Sequence, residues 1–171
     1  MKNQFSVSLK EVISLSREEA VRLNSHAIGT GHLLLALIKQ DHNVTILLLK
    51  KADVTLPELQ KEIEVCILQE EKISDIDAGK ARVAKKTIFG WSSPPRPNGL
   101  PLSRKAEKGV RVSLLEAKNM HSLLVEPEHL LLSILNDAGD SAARIFDQHG
   151  LIHRAVEAGI HELLQAHRYS V

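Results

Sequence analysis

HLLLALI at His32–Ile38 and HLLLSIL at His129–Leu135 are one phrase written twice, 97 residues apart. The register holds on both sides without a gap. Ser6 falls on Ser103, Ser16 on Ser113, Glu19-Ala20 on Glu116-Ala117, and Ile63 on Ile160. About ten positions are identical and many more agree in apolar class, the signature of an old internal duplication. One copy occupies roughly residues 5–70, a linker covers 71–101, and the second copy covers 102–168.

Each copy reads as four helices. In the first, Phe5, Leu9, Val12, Ser16, Ala20 and Leu23 recur at steps of three and four, the spacing of one helix face. Asn24-Ser25 interrupts it, and Thr30 offers a hydroxyl cap for a helix through His32–Lys39. Val44–Lys51 makes a short third helix. Leu56–Glu71 makes the fourth, with Pro57 in a first turn that does not need its N–H. The second copy repeats the plan. Ser103 caps a helix to Met120, Pro127 opens the next, Ala138-Gly139 ends it, and Ser141–His149 and Leu151–His167 complete the set. The expected fold is all-α: two tandem four-helix repeats packed as a pseudo-two-fold eight-helix domain, with His32 equivalent to His129 and Leu35 to Leu132.

Composition agrees. Of the 171 residues, 43% are hydrophobic but only 3% aromatic, so the core must be aliphatic. A formal charge of +1 gives no overall attraction to nucleic acid or anionic membrane. The linker holds Lys80, Arg82, Lys85, Lys86 and Arg96 interleaved with Phe89 and Trp91. In a near-neutral chain that strip is expected to be solvated rather than a nucleic-acid surface. The polar start MKNQFSVSLKEV has no signal-peptide apolar core, and the longest apolar runs are too short for a bilayer, so the expected location is the cytoplasm.

Chemistry is hard to find. Cys66 is the only cysteine, which excludes an internal disulfide; within Ile63-Cys66-Ile67 it is expected to be a buried thiol. HELLQAH (His161–His167) superficially resembles a zincin motif, but its histidines are six apart rather than four, on different helix faces. His32 and His129 are expected to bond locally near their helix starts rather than to bind metal. No G-x-x-x-x-G-K-[ST] sequence is present to cradle nucleotide phosphates. The chain is therefore expected to be no enzyme and to use no metal or cofactor.

SREEAVRLNSHAIGTGHLLLALI (Ser16–Ile38) resembles the first-repeat signature of Clp N-terminal domains, especially those of ClpC-type AAA+ unfoldases. LLEAKNMHSLLVEPEHLLLSIL (Leu114–Leu135) matches the same pattern. The resemblance implies a recognition domain that receives protein substrates or adaptors for Clp unfoldase and protease components and is monomeric in isolation. Its alternative is a stand-alone accessory subunit that docks on the Clp protease core or the unfoldase and modulates its assembly. It also implies a ligand. Some ClpC-type domains recognise phosphorylated arginine at two equivalent pockets, using a glutamate just before the motif histidine and a hydroxyl at the repeat's start. The matching positions are Ser6 with Gly31 and Ser103 with Glu128, and Gly31 lacks the acid. Any such ligand is thus expected at a Ser103–Glu128 pocket.

Overall fold

A computed structural model describes residues 5–41, 43–84 and 99–168. Among them are eight helices: α1 (Val7–Arg22), α2 (Thr30–Lys39), α3 (Val44–Lys51), α4 (Leu56–Ala84), α5 (Arg104–Asn119), α6 (Pro127–Leu135), α7 (Ser141–Gln148) and α8 (His153–Arg168). Extended structure is limited there to two isolated bridges, Phe5 with Val125 and Ile28 with Leu102.

The repeat is visible in the smallest details. Ser6 caps α1 by accepting the Leu9 N–H at 3.0 Å, and Ser103 caps α5 by accepting the Ala106 N–H at 3.2 Å. The buried set Leu9, Val12, Ser16, Glu19 and Ala20 on α1 returns as Ala106, Gly109, Ser113, Glu116 and Ala117 on α5. After each of these helices comes a left-handed residue, Asn24 (φ 55°) and His121 (φ 53°). The same conformation follows α3 and α7 at Asp53 and Gly150. All four ends are closed by paired backbone bonds of the Schellman type, for example Ser25 N–H to Ala20 C=O and Leu151 N–H to Phe146 C=O, each 2.9 Å.

Packing obeys the same exchange. α1 lies on α2 as α5 lies on α6, and α4 on α2 as α8 on α6. α3 meets α8 as α7 meets α4, and α5 meets α2 as α1 meets α6. The α2–α6 contact maps onto itself and so marks the pseudo-two-fold axis. This explains why these two helices read as nearly continuous apolar runs: from Thr30 to Ile38 and from Pro127 to Ile134 every residue is buried. Leu35 and Leu132 are both fully buried, as the pattern requires.

Several boundaries differ from the sequence reading. α4 does not stop at Glu71 but continues to Ala84, into the expected linker, without a sustained apolar face to announce it. The strip carrying Phe89, Trp91 and most of the cations lies outside the described residues. α6 ends at Leu135, ahead of Ala138-Gly139, because Asp140 is needed as the α7 cap: its Oδ1 accepts from Ala142 and Ala143 N–H at 3.0 Å. Cys66 is half-buried rather than buried, and burial pushes its thiol pKa up.

Candidate functional site

The two motif histidines are helix caps made of imidazole. His32 Nδ1 accepts the Gly29 N–H at 2.9 Å, and His129 Nδ1 accepts the Glu126 N–H at 2.8 Å. His32 Nε2 also bonds the Ser25 hydroxyl at 3.0 Å. Both rings are about 2% exposed. Burial lowers both pKa values, that of His129 to about 4, so the accepting nitrogens stay unprotonated near neutrality. Local bonding is thus their role. It also displaces Thr30 from the capping role expected of it. Gly29 is the cap residue, and the Thr30 hydroxyl donates to Asp140 Oδ2 at 2.7 Å, tying α2 to the second repeat's α7.

The sequence-derived site residues do not pair as the duplication suggests. The chain ahead of each repeat's first helix crosses to the other repeat. Ser6 N–H donates to Val125 C=O at 3.0 Å, beside the turn leading to Glu128. Ser103 N–H donates to Ile28 C=O at 2.9 Å, and Ile28 N–H to Pro101 C=O at 2.8 Å, beside the turn leading to Gly31. The structure therefore groups Ser103 with Gly31 and sets Ser6 against the Glu128 side. This exchange spans about a hundred residues and leaves no local sequence signal.

Ser103 and Gly31 share the wall of a cleft of about 530 Å³. The first turn of α2 (Gly29–His32) forms one side, and the start of α5 (Ser103, Arg104, Lys105) the other. Ile67, Glu70, Glu71 and Ile73 of α4 close it, with Ser141 of α7 at its edge. Helix starts leave backbone N–H groups without intrahelical partners, and two cations stand beside them, so this wall favours negative groups. Glu70 and Glu71 face it with the opposite sign. The cleft can hold a polar peptide segment carrying both charges. Glu70 and Glu71 were missed from sequence because they arrive from the fourth helix, by tertiary packing alone.

Gly31 is a packing requirement. A Cβ there would sit 2.6 Å from Ile67 Cγ1, so restoring the family's acid at residue 31 would force Ile67 aside. Its counterpart Glu128 is only 7% exposed, in the first turn of α6. Burial raises its pKa, a bond from its own backbone partly offsets this, and the Glu126 charge adds to the rise, giving about 7. Glu128 is thus a carboxyl poised between acid and carboxylate, which a guanidinium would draw to the charged form.

Among the described residues, no group of three or more His, Cys, Asp or Glu side chains is placed to hold a metal ion, and no helix is long and apolar enough to cross a membrane.

Comparison with known proteins agrees with this architecture. Residues 4–88 match the Clp repeat (R) N-terminal domain. The chain is 29% identical over 151 residues to an ATP-dependent Clp protease ATP-binding subunit ClpA homolog of Trieres chinensis, covering 88% of this chain and 15% of that protein. It is 26% identical over 151 residues to the negative regulator of genetic competence ClpC/MecB of Bacillus subtilis, covering 88% of this chain and 16% of the relative. The chain thus spans about one-sixth of the length of these curated relatives. In fold it resembles the N-terminal domain of the chaperone ClpD from Arabidopsis thaliana, with a TM-score of 0.62, 17% identity and 95% of each chain covered. With its repeat signature, its eight helices and these relatives in agreement, the chain belongs to the Clp N-terminal domain family.

Proposed function

We propose that this chain is a non-catalytic recognition domain that receives protein substrates or adaptor proteins for the Clp unfoldase–protease system. The observation that carries the reading is the cleft of about 530 Å³ where the crossed repeats bring the starts of α2 and α5 together, bounded by the carboxylates of α4. It is open and of mixed charge, suited to a polypeptide segment. The buried Glu128 beside the Ser6 crossing supports a second, chemically different contact for a cationic group such as arginine or phosphoarginine. On this reading phosphoarginine would meet Glu128 from the Ser6 side rather than from Ser103.

Fluorescence anisotropy with labelled casein, unmodified and arginine-phosphorylated, tests both levels. Wild type should bind both forms, the phosphorylated one more tightly. Glu128→Ala should weaken the phosphorylated form about tenfold or more, the equivalent of one charge-assisted hydrogen bond, while leaving the unmodified form unchanged. Equal binding of the two forms would sink the phosphoarginine refinement. Failure to bind either would overturn the recognition reading itself.

A further inference from the structure

The two repeats carry their charges in opposite places where α2 and α6 begin. At the start of α6, Glu126 and Glu128 put acid on the helix-start side. The leader that crosses to it through Ser6 continues into Val7 and Ser8, which bring no cation. At the start of α2 the equivalent positions are Gly29 and Gly31, with no acid, and the crossing leader continues past Ser103 into Arg104 and Lys105. Here the surface opens into the cleft of about 530 Å³, whose carboxylates, Glu70 and Glu71, come instead from α4.

All four charged side chains are available to a ligand. Arg104, Lys105 and Glu70 are exposed and Glu71 is half-buried, and none of them forms an ion pair among the described residues. Lys105 donates to Gly139 C=O at 3.2 Å, a neutral partner that leaves its charge uncompensated. Glu71 is felt at the start of α2: burial lowers the His32 pKa, and the Glu71 charge is the largest influence opposing it. Elsewhere on the surface opposite charges do meet, as in Lys108–Asp137 at 2.8 Å and Arg111–Glu107 at 3.0 Å. In the cleft they stand on separate helices with open space between them. Ile67 fills the place a Cβ of residue 31 would take, so Gly31 adds no side chain between the two walls.

We infer that this cleft selects polypeptide segments in which an acidic and a basic side chain lie within a few residues of each other, the acid set against Arg104 and Lys105 and the base against Glu70 and Glu71. This rests on the chain being a protein-recognition domain and adds the class of segment that the cleft takes. A segment of one sign satisfies one wall and is repelled by the other, and a neutral segment leaves both walls to water. The selection is distinct from the cationic contact at Glu128, where the acids stand at the helix start.

The test titrates the whole isotopically labelled chain with three short glycine–serine peptides, acetylated and amidated so that their ends are neutral. One carries aspartates and arginines together, one aspartates alone and one arginines alone. The mixed peptide should bind about tenfold more tightly than either of the others, as a few weak exposed charge pairs acting together warrant. It should shift the amides of residues 29–32, 67–73 and 103–105, and its advantage should shrink as salt is raised. Arg104→Glu with Lys105→Glu makes the lining acidic and should turn the preference to the arginine peptide. Glu70→Lys with Glu71→Lys makes it cationic and should turn the preference to the aspartate peptide. Glu128→Ala should leave the preference for the mixed peptide unchanged. Equal affinity for the three peptides, binding of none, or shifts that map elsewhere would overturn the assignment. Labelled casein measured in parallel separates the failures. Casein binding without preference for the mixed peptide defeats the charge pairing alone, and loss of both defeats the recognition reading too.

Discussion

Glu128 and Gly31 hold equivalent positions in the first turns of α6 and α2, and both are buried, yet one is a carboxyl near neutrality and the other has no side chain. The same divergence recurs nearby. Glu19 of α1 is bonded to Lys39 and Arg22, each at 2.7 Å; burial raises its pKa, but these partners outweigh it and leave the carboxyl below its ordinary range. Among the described residues, its counterpart Glu116 pairs with His153 Nε2, at 3.7 Å. Thr30 bonds Asp140 across the axis, while Pro127 stands at the equivalent place in the second repeat with no hydroxyl to offer Asn43. What the two halves keep in common is the set of devices that hold helices in place: serine caps, imidazole caps and left-handed ends. What they vary is charge around the mouths of α2 and α6.

The largest expected effect tests that common framework. Leu35→Ala and Leu132→Ala each empty a fully buried position on a central helix and should each cost about 2–5 kcal/mol by chemical denaturation. Losses differing by more than that range would show that the axis is not symmetric in energy as it is in contacts.

A second measurement sharpens the contrast at Glu128. The folded-state pKa is raised, so folding favours the protonated acid. Its stabilisation is complete below the unfolded value near 4.5 and is lost as pH rises through about 7. Glu128→Gln, which keeps the neutral shape, should therefore match wild type at pH 5 and exceed it at pH 9 by up to about 3 kcal/mol. The buried histidines act in the opposite sense. Their lowered pKa values make stability rise with pH between about 4, the folded value for His129, and the unfolded value near 6.5. Wild-type stability should consequently be flatter between pH 5 and 6.5 than in Glu128→Gln, whose curve should climb. A variant less stable than wild type at pH 9 would contradict the burial of a reluctant carboxylate.

The smallest expected effect concerns the serines. Ser6→Ala and Ser103→Ala should each lower stability by about 1 kcal/mol, the worth of an N-cap. Because both hydroxyls already accept helix N–H groups, neither change should alter casein binding by itself as strongly as Glu128→Ala.

Legibility in the sequence divided along the same line as the chemistry. Elements set by local pattern were readable: the repeated HLLL run, the Ser103 cap, and the Asn24 and Gly150 breaks. Thr30 was misread because α2 starts one residue earlier, at a Gly29 cap whose own N–H is taken by the His32 imidazole, and no hydroxyl-based rule anticipates that. The tail of α4 was misread as linker because its sequence carries no sustained apolar periodicity. The crossing of Ser6 to Val125 and of Ser103 to Ile28 had no signature, since backbone bonds between distant segments depend on neither residue's side chain. Thus the sequence offers candidate residues one by one, while which of them become neighbours is decided by tertiary packing.

That crossing also bears on ancestry. Each repeat lends the leader of its first helix to the other, so a polypeptide with one repeat would leave the Ile28-type N–H and C=O, and the Ser6-type N–H, to water. Meeting a second copy about a two-fold axis would restore them all at once, through a self-complementary contact. The fused chain makes within one polypeptide the contacts that such a homodimer would make between two. In a true homodimer every substitution appears twice, and a glycine fitted under Ile67 would be forced on both sides. Covalent linkage lifts that obligation, so that glycine can stand at one mouth and glutamate at the other.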